Sequence, residues 1–164
     1  MLEQVVILQK RLAKLEKNYI ALKEYKGLID SLVSDVDIYD VKVFESLKPE
    51  QKAILDAYLK RFASLQDFLG AKIFSLLLDV SGIGYTKMSE VLYYIEKEGI
   101  IDSFGSWIEL REVRNELEHD YPDNIKDALE DLKFCIDGFE KLENYYIKSV
   151  DFAKKYISWD FPKG

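Results

Sequence analysis

The chain is poor in the residues that make disulfides, metal centres and loops: 164 residues include one Cys, one His, three Pro and eight Gly. Lone Cys135 excludes an intramolecular disulfide, and there is no thiol cluster to hold zinc, so a reducing compartment is implied and the cytoplasm is the expected location. So little Pro and Gly excludes low-complexity or disordered composition for most of the chain. Long apolar runs are missing as well. The opening segment MLEQVVILQKRLAKLEK carries charges every few residues and reads as neither signal peptide nor membrane span, and nothing later reaches membrane length. Excess positive charge is also absent, since 23 Lys+Arg against 30 Asp+Glu leave a net charge of -7. That balance argues against non-specific binding to nucleic acid, so no DNA or membrane partner is expected and any RNA contact must be local.

Apolar and aromatic residues are plentiful: 48% of the chain is hydrophobic, with 11 Tyr, 9 Phe and 2 Trp. A chain of this length buries roughly 68–70% of its unfolded surface, enough for a core without staples. Residues 1–164 read as a single domain, with 158–164 as a tail.

Helical periodicity dominates. Val5, Leu8, Leu12, Leu15, Tyr19 and Leu22 follow a three/four rhythm that continues to about Val33. This stripe reads as bundle core that can partly serve as a dimer or partner surface. A connector over residues 34–48 precedes Pro49, which opens a second long helix to Val80, stopped by SGIG at 81–84. Thr86 is a plausible N-cap for a shorter helix ending at Gly99. Ser103 or Ser106 can cap a fourth helix reaching about His119, where Pro122 forbids continuation. Asp123 starts a final long helix extending toward Ile157. The only hint of alternation is IYDVKVF at 38–44. The expected fold is therefore all-α, an up-and-down antiparallel bundle of four to five helices.

Acid–base chemistry near neutral pH narrows to His119, the one histidine. Arg111, Asn115 and His119 are four residues apart and form one polar stripe, with Arg114 one residue round from it, while Trp107, Leu110, Val113 and Leu117 take the other side. This reading places the group on the outward face of an amphipathic helix. Between 107 and 121, two Arg stand against Glu109, Glu112, Glu116, Glu118 and Asp120, which repel RNA unless they point away or pair with arginine. Glu118, four residues from Arg114, can pair with it, and that surface ion pair is the main rival to a phosphate-binding role for Arg114.

Arg114-Asn115-x-x-x-His119 resembles the R-N-x-x-x-H pattern of HEPN domains, and His119-x-Tyr121 extends it to the R-x4-H-x-Y pattern of HepT-like HEPN proteins. The residue match covers 114–121; the architectural resemblance covers most of the chain. The resemblance implies a homodimer with these helices facing each other, and metal-independent endoribonuclease activity with no cofactor. It also implies a toxin–antitoxin pair in which a minimal nucleotidyltransferase adenylylates the tyrosine matching Tyr121 and neutralises the toxin. In it Arg114 and His119 are catalytic, with Asn115 and Arg111 in support. The alternative is a non-catalytic helical module that holds a nucleotidyltransferase or presents substrate to it, even as the antitoxin.

Plainer readings stand beside these. His119 suits a helix C-terminus through the dipole, and Tyr121 can pack beside Pro122. Glu116-x-x-His119 matches half of a di-iron pair but lacks the second histidine. Gly82-x-Gly84 lacks a third glycine and follows a helix, and Asp35-x-Asp37 reads as solvated connector. Cys135 reads as a small buried hydrophobe, and one member each of Tyr93-Tyr94 and Tyr145-Tyr146 as core.

Overall fold

A computed structural model describes residues 2–120 and 123–158, except the side chains of His119 and Asp120. All regular structure among them is helical: α1 (Leu2–Asp35), α2 (Val41–Glu45), α3 (Pro49–Phe68), a π-turn (Leu69–Ile73), α4 (Phe74–Ser81), α5 (Met88–Lys97), α6 (Phe104–Asp120), α7 (Ile125–Asp137) and α8 (Phe139–Lys154). No described helix is long and apolar enough to cross a membrane.

The long elements run antiparallel to their neighbours, as the pairings between them require. Along α1 and the α3–α4 rod, Arg61 donates to Asn18 while Arg11 donates to the Lys72 carbonyl, so one number falls as the other rises. Between α1 and the last rod, Lys26 lies over the Phe139 ring and Tyr19 stacks on Tyr146. On α6, Trp107 touches Tyr145 and Leu110 approaches Gly138. The core between these rods holds the expected stripe of α1, with Leu8, Leu12, Leu15 and Leu22 buried.

The helix count exceeds the expected four to five because the connector holds a short helix and two features divide the long periodic runs. Within the connector, the Asp40 carboxylate accepts from the Val43 amide and caps one short helix, α2. The second helix passes through a π-turn, whose Lys72 carbonyl accepts from Arg11. At the turn's Gly70, a Cβ would lie 3.0 Å from the Trp107 ring. The final helix is divided at Gly138, where a Cβ would meet Leu110 Cδ2 at 3.0 Å, so the missing side chain lets α6 approach. Gly138 keeps helical torsions (φ -75°, ψ -2°) and the apolar rhythm runs across it, which is why periodicity reads one helix there.

Local termini follow the sequence more closely. Gly82 ends α4 at φ 79°, a left-handed conformation that favours glycine. Ser103 is the α6 cap: its Oγ accepts from the Ser106 amide. The expected N-cap Thr86 is corrected by one position, since Lys87 occupies that place. Thr86 instead donates its amide and hydroxyl to the Glu90 carboxylate.

Candidate functional site

Helix α6 positions the residues singled out in the sequence, but on different faces. Trp107, Leu110, Arg114 and Leu117 are all buried, at spacings of three, four and three. Arg114 thus takes an inner position in the apolar stripe, correcting the expectation that it joins the outward polar face. Arg111 and Asn115 are exposed, as expected, and so are Glu109, Glu112, Glu116 and Glu118. Val113 is only half-buried.

The guanidinium of Arg114 reaches α3. One terminal nitrogen donates to the Ala63 carbonyl at 2.8 Å, and the other pairs with the Asp67 carboxylate. These acceptors lie one helical turn apart and hold the planar fork from one side. The rival reading of an Arg114–Glu118 pair gives way to one with Asp67: the inner position of Arg114 turns it toward α3, whereas Glu118 is exposed. The side chain of Arg114 is 9% exposed and that of Asp67 62%, so a buried cation is neutralised by a carboxylate at the mouth of the site.

That mouth opens on a groove of about 530 Å³ between α3, α6 and α7, with Phe44 of α2 at one end. Leu55, Leu59, Leu117, Leu129 and Leu132 supply its apolar walls, and Arg114 lines it. Neighbouring Cys135 on α7 is fully buried; burial first, then Asp131, pushes its thiol up to about 12, with Arg114 pulling the other way. The reading of Cys135 as a buried hydrophobe holds. Sequence reasoning missed Ala63 and Asp67. The three/four run 107, 110, 114 and 117 marks the inner position of Arg114, but neither acceptor carries a mark of its own in the sequence.

His119 belongs to the last turn of α6 by backbone position. Five residues separate it from Arg114, about 140° around and about 7.5 Å along a regular helix, so the two do not share a face by register. The His119 side chain, Tyr121 and Pro122 lie outside the described residues, as does the tail from 159 onward.

The remaining candidates resolve into ordinary structure. Asp35, the last residue of α1, and Asp37, in the connector, are both exposed, and among the described residues no group of three or more His, Cys, Asp or Glu converges as for a metal ion. Tyr93 is exposed beside half-buried Tyr94, but Tyr145 and Tyr146 are both buried, correcting the expectation of one core member in that pair. Tyr145 donates to Asp102 at 2.6 Å. Burial alone would raise the Asp102 carboxyl, but hydrogen bonds from Tyr145, the Ser103 amide and Lys141 hold it below the usual carboxylate range.

Compared with protein-family models, curated proteins and solved structures, the chain has no match.

Proposed function

We propose that the protein is a HEPN-type endoribonuclease, the toxin of a toxin–antitoxin pair, that acts as a homodimer without metal and is controlled by modification of Tyr121. The observation that carries this reading is the run Arg114-Asn115-x-x-x-His119-x-Tyr121 at the end of a helix in an all-helical bundle, with Arg114 lining an open groove.

Metal-free cleavage of RNA needs a base for the 2′-hydroxyl, an acid for the leaving 5′-oxygen and a cation beside the developing phosphorane charge. One chain offers one histidine, on a different register from Arg114. A two-fold pairing of α6 with its copy supplies both histidines and both guanidiniums to one cleft. Exposed Asn115 and Arg111 then serve as supporting donors to the phosphate or to His119. A nucleotide monophosphate added to Tyr121 by a nucleotidyltransferase partner puts negative charge and bulk where the RNA enters.

A second reading, a non-catalytic module that binds such a nucleotidyltransferase, is favoured by the pairing of Arg114 with Asp67 and by the exposed carboxylates Glu112, Glu116 and Glu118. Cleavage of labelled RNA in the presence of chelator, by wild type and His119→Ala, separates the two. The ribonuclease reading expects a 2′,3′-cyclic phosphate product from wild type and none from a dimeric variant. A folded wild-type dimer that leaves diverse RNAs uncut overturns it in favour of the binding module.

A further inference from the structure

Helix α1 commits one seven-residue series to the core: Leu8, Leu15, Leu22 and Ile29 are fully buried. Two residues before each of them, about 200° round the helix, stands a second series, Val6, Ala13, Ile20 and Gly27. Val6 is 42% exposed and Ile20 46%, with Gly27 exposed and Ala13 half-buried. A Cβ added to Gly27 would meet nothing within 4 Å. A seven-residue period is that of a coiled-coil seam, which stays aligned with a partner helix along its whole length. Because α1 meets α3, α4 and α8 through its buried side, no helix among the described residues covers this outer seam.

Charge decides what covers it. Lys17 and Glu24 flank Ile20 on one side of the seam, Glu16 and Lys23 on the other. Three and four residues away from each of the four, α1 holds no opposite charge. Among the described residues none of them forms an ion pair with another helix either; Lys23 has the Tyr19 ring, 6.0 Å from its Nζ.

A second α1 laid antiparallel across the seam, with the two-fold axis at Ile20, supplies the missing partners. Positions about equally far from Ile20 on its two sides then face each other, flank c against flank c and b against b in heptad terms. Lys17 meets Glu24 of the second copy and Glu16 meets Lys23 of the second copy. Symmetry repeats both pairs, so four attractions surround a contact of Ile20 with itself. Moving the axis half a repeat toward the N-terminus sets Lys17 against Lys17 and Glu16 against Glu16, while half a repeat the other way sets Glu24 against Glu24 and Lys23 against Lys23. Ile20 is also close to the middle of Leu2–Asp35, so nearly the whole helix is paired. The antiparallel sense brings the C-terminal end of α1, which has no basic residue in its last turn, beside the N-terminus of the second copy, as the helix dipoles favour.

We propose that the outer face of α1 is a self-association surface that pairs with a second copy of this chain, antiparallel about Ile20. No residue of α6 takes part, so this contact is additional to the α6 pairing in the ribonuclease reading and does not rest on it. The test is sedimentation of the full chain over a concentration series. Ile20→Glu, which sets two carboxylates on the axis, has half the mass of wild type: monomer against dimer, or dimer against tetramer if α6 pairs as well. Lys17→Glu turns two attractions into repulsions and weakens the association at least about tenfold. Adding Glu24→Lys to it restores the association, because the swapped charges attract again. A parallel pairing sets Lys17 against Glu16 and Glu24 against Lys23, so there the second substitution deepens the loss. All three positions are exposed, and circular dichroism checks that each variant is folded; should Ile20→Glu not fold, the charge swap still decides. A monomeric wild type, an unchanged mass for folded Ile20→Glu, or a swap variant no stronger than Lys17→Glu each overturns the proposal. None of these readouts depends on whether the protein cleaves RNA.

Discussion

Arg114 on α6 and Asp67 on α3 form an ion pair of unequal partners: the arginine side chain is 9% exposed and the carboxylate 62%. The aliphatic stem of Arg114 lies among the apolar residues of α6, so its contribution is packing as much as charge.

Asp67→Ala is expected to cost little, about 0.5–1 kcal/mol, because a carboxylate so open to water is screened. Arg114→Ala removes the buried stem and both hydrogen bonds, and its expected cost is about 2–3 kcal/mol. Urea unfolding of the two single variants and the double variant measures both costs and their coupling. Equal losses for the two single variants would show that the ion pair, rather than the buried stem, joins α6 to α3.

At Gly138 the contact is steric. An added Cβ would stand 3.0 Å from Leu110 Cδ2 and 3.1 Å from the Phe134 carbonyl, with no torsional strain to explain any loss. Gly138→Ala is expected to lose about 1–3 kcal/mol as α6 is pushed outward. In a double-mutant cycle, Leu110→Ala should cost less in the Gly138→Ala background than in wild type, because the clash goes with the leucine. Additive costs would place the effect in the backbone of α7 instead.

The rods of this fold were legible because each carries a sustained three/four apolar rhythm. The stops at Gly82 and Gly99 were legible because both sit at positive φ. The break at Gly138 and the π-turn at Leu69–Ile73 were not, since neither disturbs that rhythm; both lie where α6 comes close, against Leu110 and Trp107. Arg114 was found as a residue and misplaced as a side chain. A charged residue is ordinarily assigned to the polar face, and only its acceptors on α3, 47 and 51 residues away, account for an inward guanidinium. Asp67 carries no local mark in the sequence, because its part in the site depends entirely on that tertiary contact.

Cys135 is fully buried with its thiol pushed up to about 12, burial being the largest cause. It is expected to resist iodoacetamide in the native protein at about pH 8, where an ordinary cysteine near 8.5 reacts readily, and to be alkylated once urea unfolds the chain. Mass spectrometry of the two samples reads the difference. Rapid labelling of native protein would mean that α7 opens locally.

Asp102 and Tyr145 bound the stability of the bundle from both sides of the pH scale. The Asp102 carboxyl is held below its ordinary 3.8, against burial, by bonds from Tyr145, the Ser103 amide and Lys141. Its contribution is therefore present above the unfolded value and lost as pH falls through the folded one. Tyr145 is raised by burial and then by Asp102, so its contribution is present below the ordinary 10.0 and lost as pH rises beyond it. Asp102→Asn should lower the unfolding midpoint at neutral pH, the gap to wild type closing as the carboxyl is protonated in acid. Tyr145→Phe keeps the ring against Trp107 and should flatten the alkaline decline. Thermal unfolding from acid to alkaline pH measures both limbs. An Asp102→Asn profile that superimposes on wild type at neutral pH would show that the Tyr145 hydroxyl gains nothing from a charged acceptor.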